Sequence, residues 1–114
     1  MPFSINGKNL LLNALPNLMM VSLHYDDPGE TGANELSGGN PPYGRPSVIL
    51  NLASNGVRTS ATGSVVAPVP PNVPVKWVGW WTTGGVFISS CEVEEFLHDY
   101  QSEYSLSLES FTIV

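Results

Sequence analysis

The chain has 114 residues, long enough for one domain over 1–114 with a core of its own. Its net charge is −6 and its four basic residues, Lys8, Arg45, Arg58 and Lys76, are scattered, which argues against binding nucleic acid by phosphate neutralisation and against an anionic membrane. Charged residues make up 12%, against about 25% in an average globular protein, so much of the surface is neutral and suited to packing against partners.

Ser4 to Leu15 reads as a short helix, with Ser4 or Asn6 able to cap the unpaired amides of its first turn. Leu11, Ala14 and Leu15 recur at helical spacing, and Pro16 forces the end. So short a helix is marginal alone and has to dock; its leucine face is expected to cover one open end of a sheet. Asn17 to Tyr25 reads as a strand with apolar residues on both faces, hence central and buried. After it the chain breaks into a polar, glycine-studded excursion, Asp26 to Gly39, longer than the roughly 4–6 residues of an ordinary connection. Long ordered loops on small scaffolds tend to carry contacts to something else.

Ser47 to Ala53 reads as the second strand, Ser54-Asn55-Gly56 as a tight turn, and Val57 to Val66 as a strand with one wet face. Ala67 to Pro74 holds four prolines and reads as an extended crossover between sheets. Val75 to Thr82 is a strand, turned back by Gly84-Gly85 into Val86 to Cys91. Glu92 to Tyr100 fits either a helix or an extended strand with a bend, and Ser105 to Val114 closes the chain as a long strand. The expected fold is all-β: a small antiparallel sandwich or barrel of about seven strands with a short N-terminal helix.

Chemistry-bearing residues are few. Cys91 is the single cysteine, so no disulfide forms within the chain; it is expected as a small buried hydrophobe. Asp26, Asp27, Glu30 and Glu35 lack the alternating spacing of a calcium loop, and Asp27-Pro28-Gly29 is good turn chemistry. The same carboxylates as a glycosidase pair are a weaker alternative. His24 is expected as a buried imidazole bonded to backbone carbonyls, and His98, among Glu94, Glu95, Asp99 and Glu103, on a solvated or interface face. Trp77 and Trp81 share one strand face and Trp80 takes the other. One of those faces is expected in the core and the other at a subunit contact or, alternatively, as a sugar platform. No phosphate loop, zinc spacing or nucleophile elbow is present, and no cofactor or metal is expected.

The run Val21-Ser22-Leu23-His24-Tyr25-Asp26-Asp27-Pro28-Gly29-Glu30-Thr31-Gly32-Ala33-Asn34-Glu35-Leu36-Ser37-Gly38-Gly39, followed by Tyr43-Gly44-Arg45, resembles a motif of small tailed-phage virion proteins, described as tail-fibre-like or head-decoration proteins. Trp77-Val78-Gly79-Trp80-Trp81 ahead of Gly84-Gly85 is similar to a second pattern of that family, with a shorter spacing to the glycine pair. The chain departs from the family at Pro41, Pro42 and Gly44, and its middle strands match poorly. The resemblance implies an all-β virion component without catalytic residues, working through loops and surfaces. On that reading the chain is non-enzymatic, a capsid decoration or minor capsid protein on the outside of the major capsid shell, assembled in the host cytoplasm. A tail or tail-fibre component and a carbohydrate-binding module are the alternatives. Expected partners are the major capsid protein or other virion proteins and further copies of the chain, a trimer among the options. The expected contact residues are Tyr25, Asp26, Asp27, Pro28, Glu30, Asn34, Glu35, Tyr43, Arg45, Trp77, Trp80 and Trp81.

Overall fold

The structure, a computed structural model, describes residues 4–60, 63–107 and 111–112. It is a small all-β fold carrying one helix. Helix α1 (Ile5–Leu12) is capped by Ser4, whose Oγ accepts from the Gly7 amide at 3.0 Å. The helix ends three residues short of the expected Leu15, although amides 14 and 15 still bond back to Leu11 and Leu12 in a closing turn. Eight strands follow: β1 (Leu18–His24), β2 (Ser47–Ile49), β3 (Val57–Arg58), β4 (Ser64–Val69), β5 (Val75–Thr82), β6 (Phe87–Phe96), β7 (Ser102–Ser107) and β8 (Phe111–Thr112).

Four strands form one antiparallel sheet in the order β2-β1-β5-β6, while β4 pairs with β7 and β3 with β8. In the main sheet Val21 lies opposite Trp80 and Leu23 opposite Val78, so these side chains share a face with Met19 and Val48. They are closed over by Val65, Ala67 and Val69 of β4 with Leu106 and Tyr104 of β7, and together these residues make the core. The alternation of buried Val65, Ala67 and Val69 with exposed Val66 is the period of a ribbon wet on its outer side. On the opposite face of the main sheet, Ser22 lies opposite Gly79, His24 opposite Trp77 and Met20 opposite Trp81. That face is covered too, so β1 is central and buried on both sides, as its sequence predicts.

Several expectations need correction. The second strand stops at Ile49, and an isolated bridge from Leu50 to Ser60 replaces its remainder. The expected strand Val57 to Val66 is two separate strands, β3 and the start of β4. The crossover begins later than its prolines imply: Pro68 lies inside β4, paired with Glu103. The position tolerates a residue without an amide because β4 is hydrogen-bonded along one side only. The ambiguous segment resolves as strand, β6 running to Phe96 with its register shifted against β5. The closing strand begins earlier than expected, at Ser102; it is described as β7 and β8, paired with different strands, while residues 108–110 and 113–114 of the expected span lie outside the described residues. Cys91 is exposed, not buried, because it lies on β6, the edge strand of the sheet. The leucine face of α1 buries Leu12 alone, while Leu10 and Leu11 stay exposed. No helix among the described residues is long and apolar enough to cross a membrane.

Candidate functional site: a loop layer over the sheet

The segment between β1 and β2 does not project from the scaffold as a free loop. It folds back as a layer over the second face of the main sheet, and most of the residues that tie it down belong to the run 21–45. The hairpin closes at a bridge between His24 and Glu35, with the Tyr25 amide on the Asn34 carbonyl and the Leu36 amide on the Leu23 carbonyl. Asp27 makes the expected turn: its Oδ1 accepts from the Gly29 amide at 2.8 Å, and its carbonyl accepts from Asn34 Nδ2. Asn34 holds a φ of 63° and Gly32 one of 76°, the left-handed backbone that brings the chain back onto the sheet.

Underneath lies a chain of buried polar groups. Ser22 and His24 are both 0% exposed, at alternate positions of β1 and therefore on one face. His24 Nδ1 lies 2.7 Å from the Ala33 carbonyl, His24 Nε2 lies 2.6 Å from Ser22 Oγ, and the Trp81 indole N–H donates to Ser22 Oγ at 2.7 Å. With a neutral ring these partners fix every proton. A carbonyl only accepts, so Nδ1 carries the hydrogen; Nε2 then accepts from the Ser22 hydroxyl, which in turn accepts from Trp81. Burial, opposed by the bond to Ala33 and the charge of Glu35, holds the His24 pKa below its ordinary 6.5, in keeping with a neutral ring. A serine hydroxyl beside a histidine nitrogen is also the spacing of a nucleophile and its base. Here both are sealed from solvent, and the hydroxyl is committed on both sides.

Two glycines make this close packing possible. A Cβ at Gly79 would lie 2.5 Å from Ser22 Oγ and 2.7 Å from His24 Nε2, and one at Gly32 would overlap the Trp81 ring. Phe87 closes the side, edge-on to Trp81 with ring centroids 5.1 Å apart.

A second knot holds the margin of the layer. Arg45 pairs with Glu35 through two bonds, Nε to Oε2 at 2.8 Å and Nη2 to Oε1 at 2.7 Å. The Tyr43 hydroxyl donates to Glu35 Oε2 at 2.7 Å and accepts from the Leu23 amide at 3.0 Å. The Arg45 guanidinium also lies over the Trp81 ring, 3.8 Å from its centroid. Burial pushes the Glu35 carboxyl up, but the bonds from Arg45 and Tyr43 outweigh it and the net shift is downward. Burial, with the Glu35 contact adding to it, raises the Tyr43 phenol well above its ordinary range.

The twelve expected contact residues therefore divide. Tyr25, Asp26, Asp27 and Glu30 are exposed. Asn34, Glu35, Tyr43, Arg45 and Trp77 are half-buried, the first four of them spent on internal bonds; Pro28, Trp80 and Trp81 are buried. Trp77 and Trp81 share a face, as expected, but over Trp81 that face is covered by the protein's own loop. His24 is the carbonyl-bonded imidazole expected of it. His98 is half-buried, edge-on to Phe96 and stacked on Tyr100. Sequence reasoning passed over Ser22, Gly79 and Arg58. Two signals pointed to the first pair: polar residues at alternate positions of an otherwise apolar strand, and a glycine inside a strand between tryptophans, which marks close approach. Arg58 carried no such signal.

Scans against protein-family models, curated proteins and solved structures return no match to this chain.

Proposed function

We propose that the chain is a non-enzymatic structural component of a tailed-phage particle, a capsid decoration or minor capsid protein that binds the outside of the major capsid shell. The observation that carries this reading is the use to which the virion-like motif is put. His24, Gly32, Asn34, Glu35, Tyr43 and Arg45 all serve to stiffen one loop against the sheet. Ser22, His24 and Glu35 are thereby committed to structure. What remains exposed is one aromatic ring, Tyr25, beside the closing bridge, and the carboxylates of Asp26, Asp27 and Glu30. Such a surface fits a basic recess on a neighbouring protein, and its stiff base lowers the ordering cost of docking. A protein of this kind stabilises the mature shell by mass action, binding the assembled lattice and not its loose subunits.

The test is stoichiometry and attachment. Quantitative mass spectrometry of purified particles is expected to find hundreds of copies; a handful would place the chain in the tail instead. Purified protein added to shells stripped of it is expected to rebind, and the double variant Tyr25→Ala, Glu30→Lys, whose side chains are exposed, to lose at least tenfold in affinity, roughly 1.4 kcal/mol or more. That variant is expected to keep its denaturation midpoint. Unimpaired rebinding would remove the loop from the contact.

A further inference from the structure

We infer that His24 is an acid-sensitive latch: when its ring takes up a second proton, the 25–34 segment lets go of the sheet while the sheet stays folded. The inference stands apart from the virion reading and rests on hydrogen-bond capacity. With neutral His24, each polar atom in the chain from Trp81 through Ser22 and His24 to Ala33 has a role and a partner. A proton on Nε2 turns that nitrogen into a donor facing Ser22 Oγ. The serine oxygen can accept from both His24 and Trp81, but its own hydrogen then loses the acceptor it had. A buried, unpaired hydroxyl and a buried cation are both costly. The bond from Nδ1 to the Ala33 carbonyl favours the cation, but Ala33 stands on a loop and not on a strand, so lifting that loop is the way for water to reach the buried charge.

The surrounding charges relieve only part of the cost, and burial outweighs them. From the loop, Glu35 faces His24 as its bridge partner, but both carboxylate oxygens are engaged by Arg45 and Tyr43. The Arg45 guanidinium, over Trp81, adds like charge. From β5 come the Trp81 indole, Gly79 and Trp77, and from β6 the Phe87 ring, none of which offers an anion. Glu92 shares the face but lies beyond Trp77 on the edge strand, exposed. The Glu35 carboxyl is held below its ordinary 4.5, so it is ionised at that pH and above. The sign follows: stability associated with neutral His24 is complete above pH 6.5 and falls as pH drops toward the lowered native value.

Nuclear magnetic resonance of the intact chain between pH 7 and about pH 4.5 tests this. The ring nitrogens are expected to report the Nδ1–H neutral form at pH 7. On protonation, the Trp81 indole N–H and the Tyr25 and Leu36 amides are expected to exchange at least about tenfold faster, at the ring's own midpoint, with the Val78 amide still protected. His24→Asn is expected to abolish that transition and His98→Asn to keep it. If His24→Asn does not fold, the coincidence of ring and loop midpoints in the parent chain decides. The latch is overturned if the ring protonates with the loop still protected, if it does not protonate in this range, if His24→Asn retains the transition, or if Val78 and Tyr25 lose protection together.

Discussion

Gly79 shows how much of this molecule turns on the absence of a methyl group. It faces Ser22 across the β1–β5 pair, and the polar chain of Trp81, Ser22 and His24 runs through the space a side chain would occupy. The neighbours are backbone-anchored and fully buried, so they cannot retreat. Gly79→Ala is therefore expected to lower unfolding free energy by about 2–3 kcal/mol, the range of overpacked cores with a disrupted buried hydrogen bond. Urea denaturation checks this, with Gly84→Ala as the comparison, since an added Cβ there meets nothing closer than 3.8 Å. Equal midpoints for the two variants would contradict the account.

At the scale of elements, the loop layer behaves as a secondary structure without regular hydrogen bonding. Its margin is held by one carboxylate, Glu35, serving Arg45 and Tyr43 together. The lowered Glu35 pKa means that this contribution is present above pH 4.5 and lost as pH falls through the lower native value. Glu35→Gln is expected to cost about 1–2 kcal/mol at neutral pH, as expected for charge-assisted bonds at a part-exposed site. It is also expected to flatten the acid limb of the stability profile below pH 4.5. Denaturant titrations of both proteins from pH 7 to pH 3 measure this.

The elements themselves were legible to different degrees. β1 and β5 were readable to within a residue at each end, because long apolar runs between turn residues leave few alternatives. The Asn55-Gly56 turn was readable because only such a pair takes the φ values of 54° and 75° found there. The strands β2, β3 and β4 were not, because their limits are set by bridges to distant partners: Leu50 to Ser60, and β3 to β8. Within the candidate site, the buried imidazole and the Asp27 turn could be read locally. The covering of Trp81 by Gly32 and Arg45 could not, since it joins residues far apart in the chain.

The whole molecule is elongated, 47 × 26 × 25 Å, with a radius of gyration of 14.9 Å against roughly 13 Å for a compact chain of this length. Within that body Arg58 joins β3 to the close of α1 and to the segment after β2. The residue is 0% exposed, and its guanidinium donates to the Leu12, Leu15 and Asn51 carbonyls and to Asn17 Oδ1. Two of those acceptors are carbonyls at the close of α1, where a cation is also favoured by the helix dipole. Burial lowers the Arg58 pKa, yet an arginine remains charged at any working pH. Arg58→Ala takes a donor from three carbonyls, of which Leu12 keeps the Leu15 amide, and Arg58→Lys replaces a planar fork with a single ammonium. Losses of about 3 kcal/mol or more for alanine, and a smaller loss for lysine, are expected by thermal and urea denaturation. A lysine variant as unstable as the alanine one would assign the effect to fork geometry, while a fully stable alanine variant would remove Arg58 as the joint.

The Gln101 amide bridges the two loops at the far margin of the layer: it accepts from the Asn40 amide at 3.0 Å and donates to the Pro41 carbonyl at 3.3 Å. The covering segment is thus fastened through Ala33 on one flank and through Pro41 on the other. A plate bolted along two sides does not swing when pushed at its rim. Force applied at Tyr25 passes into the β1–β5 pair and, by way of Gln101, into the strands that follow β6, so the molecule takes up the load as one strut.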